Sequence, residues 1–408
     1  MRLLCFNELD LILRRSPTGR ANARPMTGSV AVSKDGPQYR FVIPGTRLGP
    51  ARREGTALLF AMQQSSVNVR RDSSCIRSHA IMRVLVTGSA GHLGEALVRA
   101  LTGSQHEVVG LDILKSPFTG HIGSITDRAC VRQCMQGVRA VFHTATLHKP
   151  HVATHRRQDF IDTNVTGTLN LLEEAVAAGV ESFVYTSTTS VFGDALVPPP
   201  GAAAAWVTEE VTPVPKNIYG VTKAAAEDLC QLFHRNQALA CVVLRTSRFF
   251  PEQDDNRDVR EAYPDDNVKM NEYLHRRVAI EDVVTAHLLA SERAPALGFR
   301  KYIVSATTPF RPDDLLALRV DAPRVVRQRV PDYEAEYERR GWKMFPSIGR
   351  VYVNDRAQRE LGWQPRYNFN DLIGRLRAGD DLRGPLARMV GSKGYHAGAF
   401  ADGPYPVE

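Results

Sequence analysis

An α/β fold with a doubly wound parallel sheet is predicted from three observations. Strand-like and helix-like segments alternate along most of the chain, a glycine-rich turn joins the first strand to the first helix, and a carboxylate ends the second strand. The alternation begins with Val84-Leu85-Val86, a helix running to Leu101, and the strand Val108 to Leu111. It continues with a helix near Cys130, the strand Ala140-Val141-Phe142, and a helix from about Asn164 to Gly179, where the glycine is a natural stop. Phe183-Val184-Tyr185, a long helix beginning near Tyr219, and Cys241-Val242-Val243-Leu244 complete it. Repeated strand, helix, strand order implies parallel pairing with helices on both faces.

Segments that fit the alternation poorly are expected to form a small substrate-binding lid over the carboxyl edge of the sheet, from about 193–215, 247–278 and 295–378. The Gly- and Asp-rich residues 379–408 read as a flexible tail.

Charge is unevenly spread. Residues 1–81 hold 13 Lys/Arg against 5 Asp/Glu and so carry the whole formal charge of +8, whereas residues 82–408 hold 39 of each. The body is thus neutral and lacks the broad basic face of a nucleic-acid binder, so no nucleic-acid partner is expected. The N-terminal segment reads as a basic, disordered extension ending at Met82. Its Arg-rich, acid-poor composition resembles an organelle transit peptide, and the alternative is upstream sequence ahead of a working start at Met82. Cys5, Cys75, Cys130, Cys134, Cys230 and Cys241 lack CxxC spacing, which points to a reduced compartment, and no apolar run approaches the ~20 residues of a membrane helix. A cytoplasmic protein is expected, with organelle import through residues 1–81 as the other reading.

The turn after the first strand reads Thr87-Gly88-Ser89-Ala90-Gly91-His92-Leu93-Gly94. A tight turn and a close backbone approach to a pyrophosphate both require glycine, and the helix that follows offers free amides and a positive dipole end. This is the Rossmann-type arrangement. Asp112 ends the second strand, where a carboxylate accepts hydrogen bonds from the adenosine ribose and repels a 2'-phosphate, which favours NAD.

Tyr219 and Lys223 lie four residues apart in a good helical segment, so they share a face. A tyrosine of ordinary acidity is a poor base at neutral pH, and a neighbouring ammonium stabilises its phenolate. Upstream, Thr186-Ser187-Thr188-Thr189-Ser190 places a cluster of hydroxyls at the carboxyl end of a strand, where doubly wound sheets bind ligands.

Residues 82 to about 375 resemble the NAD-dependent epimerase/dehydratase family of extended short-chain dehydrogenases. The resemblance is carried by the glycine motif, Asp112, Val141-Phe142-His143-Thr144-Ala145, Asn164-Val165-Thr166-Gly167-Thr168, the hydroxyl cluster, and Tyr219 with Lys223. Weaker marks follow at Ile280-Glu281-Asp282-Val283 and Glu360-Leu361-Gly362-Trp363. It implies that Tyr219 transfers the proton, that Lys223 binds the nicotinamide ribose and lowers the tyrosine pKa, and that Thr188 takes the catalytic Ser/Thr position. It also implies a cofactor site made of Gly88, Gly91, His92, Leu93, Gly94, Asp112, Ser124, Ile125, Thr144, Ala145 and Asn164, together with Tyr219 and Lys223. Asn164 corresponds to a structural and proton-relay asparagine, with a helix cap as the alternative. A homodimer is a further implication.

Departures narrow the activity. Thr189 and Ser190 stand where sugar-nucleotide dehydratases of the family carry Asp-Glu, so a 4,6-dehydratase is not expected, whereas epimerases and simple dehydrogenases need only the Thr, Tyr, Lys set. Ser124 replaces a frequent Asp beside the adenine, and Phe192 replaces a frequent Tyr. Arg276 and Arg277 read as a solvated charged face, with a diphosphate contact as the alternative. His143, His148, His151 and His155 match no zinc spacing, read as ordinary loop or strand-end histidines, and no metal is expected. The expected function is an NAD-dependent oxidoreductase or epimerase acting on a secondary alcohol or keto carbon of a nucleotide-sugar-like small molecule. The alternatives are a hydroxysteroid-type or other alcohol dehydrogenase, and an NAD-binding sensor without turnover.

Overall fold

A computed structural model describes residues 81–394 and Phe400. The predicted extension thus lies almost wholly outside the described residues, as do Cys5 and Cys75.

The chain opens with β1 (Arg83–Thr87), α1 (His92–Gly103), β2 (Glu107–Asp112), β3 (His121–Ile122), α2 (Arg128–Cys134) and β4 (Ala140–His143). Next come α3 (Arg157–Phe160), a π-helical turn at Ile161–Thr166, α4 (Gly167–Ala178), β5 (Ser182–Thr188), β6 (Ala205–Val207), α5 (Ile218–Gln237) and β7 (Cys241–Thr246). The last part holds α6 (Arg257–Ala262), α7 (Asp265–Tyr273), α8 (Ile280–Leu297), β8 (Phe299–Val304), α9 (Leu315–Val320), α10 (Ala322–Arg329) and α11 (Tyr333–Arg340). It ends with β9 (Arg350–Tyr352), α12 (Asp355–Leu361), α13 (Phe369–Arg377) and α14 (Pro385–Val390).

Seven strands form one parallel sheet in the order β3-β2-β1-β4-β5-β7-β8. The order reverses between β1 and β4, which opens a crevice at their carboxyl ends. Local chemistry sets the boundaries of the helices beside it. Asp127 caps α2 by accepting from the Ala129 amide at 2.9 Å, Asn217 caps α5 by accepting from the Gly220 amide at 3.1 Å, and Gly179, at φ +71°, ends α4. One face of the sheet is covered by α1, α8, α12 and α14 through Leu97, Val283, Leu361, Trp363 and Val390. The other is covered by α2, α4 and α5 through Val131, Leu171, Leu172, Ala226 and Cys230. A further apolar cluster joins α7, α9, α10, α11 and α13 away from the sheet.

Three expectations are corrected. Residues 299–304, assigned to the lid, are the seventh strand of the sheet; Arg300 and Lys301 interrupt the apolar run by which an internal strand announces itself. Residues 379–394 are no loose tail, because α14 buries Val390 against the core shared by α1 and α8. The helix expected from Asn164 begins at Arg157 and passes through the π-helical turn, so Asn164 is internal to it and caps nothing. In addition, β6 pairs in parallel with β9, which joins residues 205–207 to 350–352 in a second, two-stranded sheet.

Candidate active site

The crevice at the strand ends widens into a cavity of about 820 Å³. Of the residues singled out in the sequence, Gly88, Gly91, His92, Leu93, Gly94, Asp112, Ser124, Ile125, Thr144, Ala145, Thr188 and Tyr219 line it. Asn164 and Lys223 do not; they sit just behind the wall, 1 % and 2 % exposed.

At one end the glycine turn is packed to its limit. A Cβ on Gly94 would lie 1.8 Å from the Gly88 carbonyl oxygen, and one on Gly88, whose φ is +71°, would lie 2.8 Å from the Ala145 amide nitrogen. Gly91 opens α1 with no side chain capping the first turn, which leaves the leading amides to an anion. Asp112 accepts from the amides of Ala90 (2.9 Å) and Leu114 (2.8 Å), so its carboxylate is held against the turn. These features fit a dinucleotide: a bare turn and free amides for a pyrophosphate, and an oriented carboxylate for a ribose.

At the other end Thr188 closes β5. Its hydroxyl accepts from the Ser190 amide at 3.1 Å, and its closeness to the Tyr219 hydroxyl works against the burial that pushes Tyr219 up to about 12. Lys223 donates to the Thr186 carbonyl at 2.7 Å, its ammonium lies 4.1 Å from the Tyr185 ring centroid, and burial brings its pKa down to about 7. The lysine is thus held by a strand carbonyl. Asn164 accepts from the Leu147 amide and the Thr146 hydroxyl, both at 2.8 Å, and donates to the Leu147 carbonyl (3.1 Å) and the Thr222 hydroxyl (3.0 Å). It ties the loop after β4 to α5.

The histidines divide into two groups. His143 bridges the Thr87 hydroxyl (2.8 Å) and the Thr168 hydroxyl (2.9 Å) and is 1 % exposed, so it pins β4 to β1 and α4 instead of ending a strand idly. His148, His151 and His155 line the cavity. The His148 ring lies 6.0 Å from that of Tyr219 and is driven down to about 3, first by burial and then by His151 and Lys223. Among the described residues no set of three His, Cys, Asp or Glu side chains is placed to hold a metal ion, and no helix is long and apolar enough to cross a membrane.

The arginines are also placed differently from expectation. Arg277 is 5 % exposed and donates to Glu272 at 2.8 Å, while Arg276 lines the cavity, pairs with Glu272 at 2.9 Å and keeps a buried Nε without a partner. The buried Glu272 turns both inward, so they are not a solvated face. Sequence reading missed Arg350 and Tyr352, which β9 delivers to the cavity, and Lys393, which comes from beyond α14. None carries a local motif. It also missed the buried Arg245–Glu227 pair, 2.7 Å apart, beneath the hydroxyl cluster, where Ser187 donates to Glu227 at 2.6 Å. Phe192 belongs to that understructure: it is fully buried, with the Arg245 guanidinium 4.9 Å from its ring centroid.

The chain is 26% identical over 347 residues to a 3 beta-hydroxysteroid dehydrogenase/Delta 5-->4-isomerase of Mycobacterium tuberculosis, covering 75% of this chain and 92% of that one. It is 32% identical over 185 residues to a UDP-glucose 4-epimerase of Erwinia amylovora, covering 40% and 52%. Among solved structures, a short-chain dehydrogenase/reductase superfamily protein of Agrobacterium tumefaciens with bound NAD shares the fold, with a TM-score of 0.51, 23% identity, and coverage of 73% of this chain and 98% of that one. The sequence model of the NAD dependent epimerase/dehydratase family matches residues 84–302. This protein therefore belongs to the NAD-dependent epimerase/dehydratase family, as an enzyme of the extended short-chain dehydrogenase type with NAD as its cofactor.

Proposed function

We propose that the protein oxidises or reduces a secondary alcohol or keto carbon of an anionic, nucleotide-sugar-like substrate. The observation that carries this reading is the buried, unpartnered Nε of Arg276 in a residue lining the same cavity as Tyr219. A buried donor without an acceptor is costly, and a phosphate or carboxylate oxygen would satisfy it. Arg350 adds a second guanidinium to the lining, and among the described residues no carboxylate pairs with it.

NAD, when bound, supplies hydride acceptance and return at the alcohol carbon. Gly88, Gly91 and the amides opening α1 would hold its pyrophosphate, Asp112 its adenosine ribose, Ser124 and Ile125 its adenine, and Lys223 its nicotinamide ribose. Tyr219 gives its proton to the carbonyl oxygen in reduction and, as the phenolate this leaves, takes the hydroxyl proton in oxidation, with the Thr188 hydroxyl bonded to the same substrate oxygen. Asn164 fixes the loop and α5 against each other. The segments around β6 and β9, with α7 and α9–α11, would form the substrate-binding part.

A second reading takes its support from Leu196, Phe249 and Phe250, which line the cavity and suit an apolar alcohol such as a hydroxysteroid. The test is to titrate the purified protein with NAD and NADP, then follow NADH absorbance and sugar configuration with UDP-hexoses and with hydroxysteroids. Conversion of a UDP-hexose supports the first reading and stoichiometric NADH from a steroid the second. NAD binding without turnover of either, unaltered in Tyr219→Phe, would leave a sensor.

A further inference from the structure

The chain returns to the glycine turn at its far end. The His92 ring Nδ1 lies 2.9 Å from the Gly391 carbonyl oxygen, and the Lys393 ammonium lies 2.5 Å from Glu95, in the first turn of α1. Ser392 donates to Glu252 at 2.5 Å, and the Gly394 amide reaches the same carboxylate oxygen at 3.3 Å. His92, Glu252, Lys393 and Gly394 all line the cavity, so residues 391–394 bridge its two sides as a strap. The strap is rooted in α14, whose Val390 is 4 % exposed in the core.

Electrostatics gives the strap a role. Glu95 is 3 % exposed at the helix start that faces the cofactor's phosphates, where a bare carboxylate would repel them. Arg99 holds one of its oxygens at 2.8 Å, and Lys393 holds the other. We infer that residues Gly391–Gly394 belong to the cofactor site, with Lys393 balancing Glu95 beside the glycine turn and the strap governing how fast the dinucleotide leaves. This rests on the cofactor placement proposed above. The strap is held by a few polar contacts, so it opens without disturbing the core.

The experiment measures NADH affinity and release by stopped-flow fluorescence displacement on the full chain. Lys393→Glu is expected to weaken binding and speed release by about tenfold or more, and Ser392→Ala to speed release by a smaller factor. Glu95→Gln introduced into Lys393→Glu should recover part of the loss, because one of the two carboxylates then facing the phosphates has gone. Melting temperatures within a few degrees of wild type separate these effects from misfolding. Wild-type rates in Lys393→Glu and Ser392→Ala, with the wild type binding normally, would overturn the strap alone. If the wild type binds no NADH, the cofactor placement falls and the strap falls with it.

Discussion

Tyr219 and Lys223, one turn apart on α5, engage different partners on β5: the phenol meets the Thr188 hydroxyl, and the ammonium meets the Thr186 carbonyl at 2.7 Å. Burial drives their acidities in opposite directions, the phenol up to about 12 and the amine down to about 7. Near neutral pH the tyrosine therefore holds its proton while the lysine is poised between charge states.

Removing the phenol oxygen should stop chemistry and spare binding. Tyr219→Phe is expected to lower kcat by about 10²–10⁴-fold, and Thr188→Val by a smaller factor, with NAD affinity near wild type. Titration beside turnover measurements checks this; near-normal turnover in Tyr219→Phe would remove the residue from the mechanism.

Lys223 should make stability depend on pH. Its folded pKa, about 7, lies below its unfolded value of 10.5, so between these values the unfolded chain binds a proton that the folded chain does not, and stability rises with pH. Urea denaturation of Lys223→Met should lack this component. The gap between mutant and wild type should change by about 1 kcal/mol per pH unit within that window, in favour of the wild type as pH rises. A gap constant from neutral to alkaline pH would contradict the lowered pKa.

The glycines of the turn should differ in kind. Gly94→Ala pushes a methyl to 1.8 Å from a carbonyl oxygen and is expected to destabilise the fold as well as abolish NAD binding. In Gly91→Ala the nearest atom is 3.1 Å away, so the fold should survive while NAD affinity falls. Thermal melts with and without NAD separate the two; equal melting losses would show that the space around Gly91 is misjudged.

Beneath the hydroxyls, Glu227→Ala should cost about 3–5 kcal/mol, because it strands a guanidinium that is 2 % exposed. Replacing both Arg245 and Glu227 with leucine should recover most of that loss. Denaturation midpoints of the three variants decide; a double mutant as weak as the single one would mean that the pair's geometry, not its charge, supports β5.

The alternating strands, the glycine turn and Asp112 were legible in the sequence because each rests on local physics, period or turn chemistry, whereas Thr188, Tyr219 and Lys223 were singled out by their order along the chain and the family resemblance it carries. The same locality explains the errors. Residues 299–304 join the sheet only because a parallel partner, β7, is waiting, and a strand bearing Arg300 and Lys301 does not announce that by itself. Whether Arg276 faces solvent or the cavity depends on where the buried Glu272 sits, and whether His143 is idle depends on Thr87 and Thr168. Lys393 reaches the glycine turn because α14 docks on the core beside α1, a contact between residues nearly 300 positions apart. The sequence alone determined the scaffold and singled out the candidate side chains of the site, since backbone conformation and residue chemistry are read within a turn or a strand. The tertiary structure decided which charges are buried, what they pair with and how the cavity is walled, since those depend on distances between segments that no local pattern encodes.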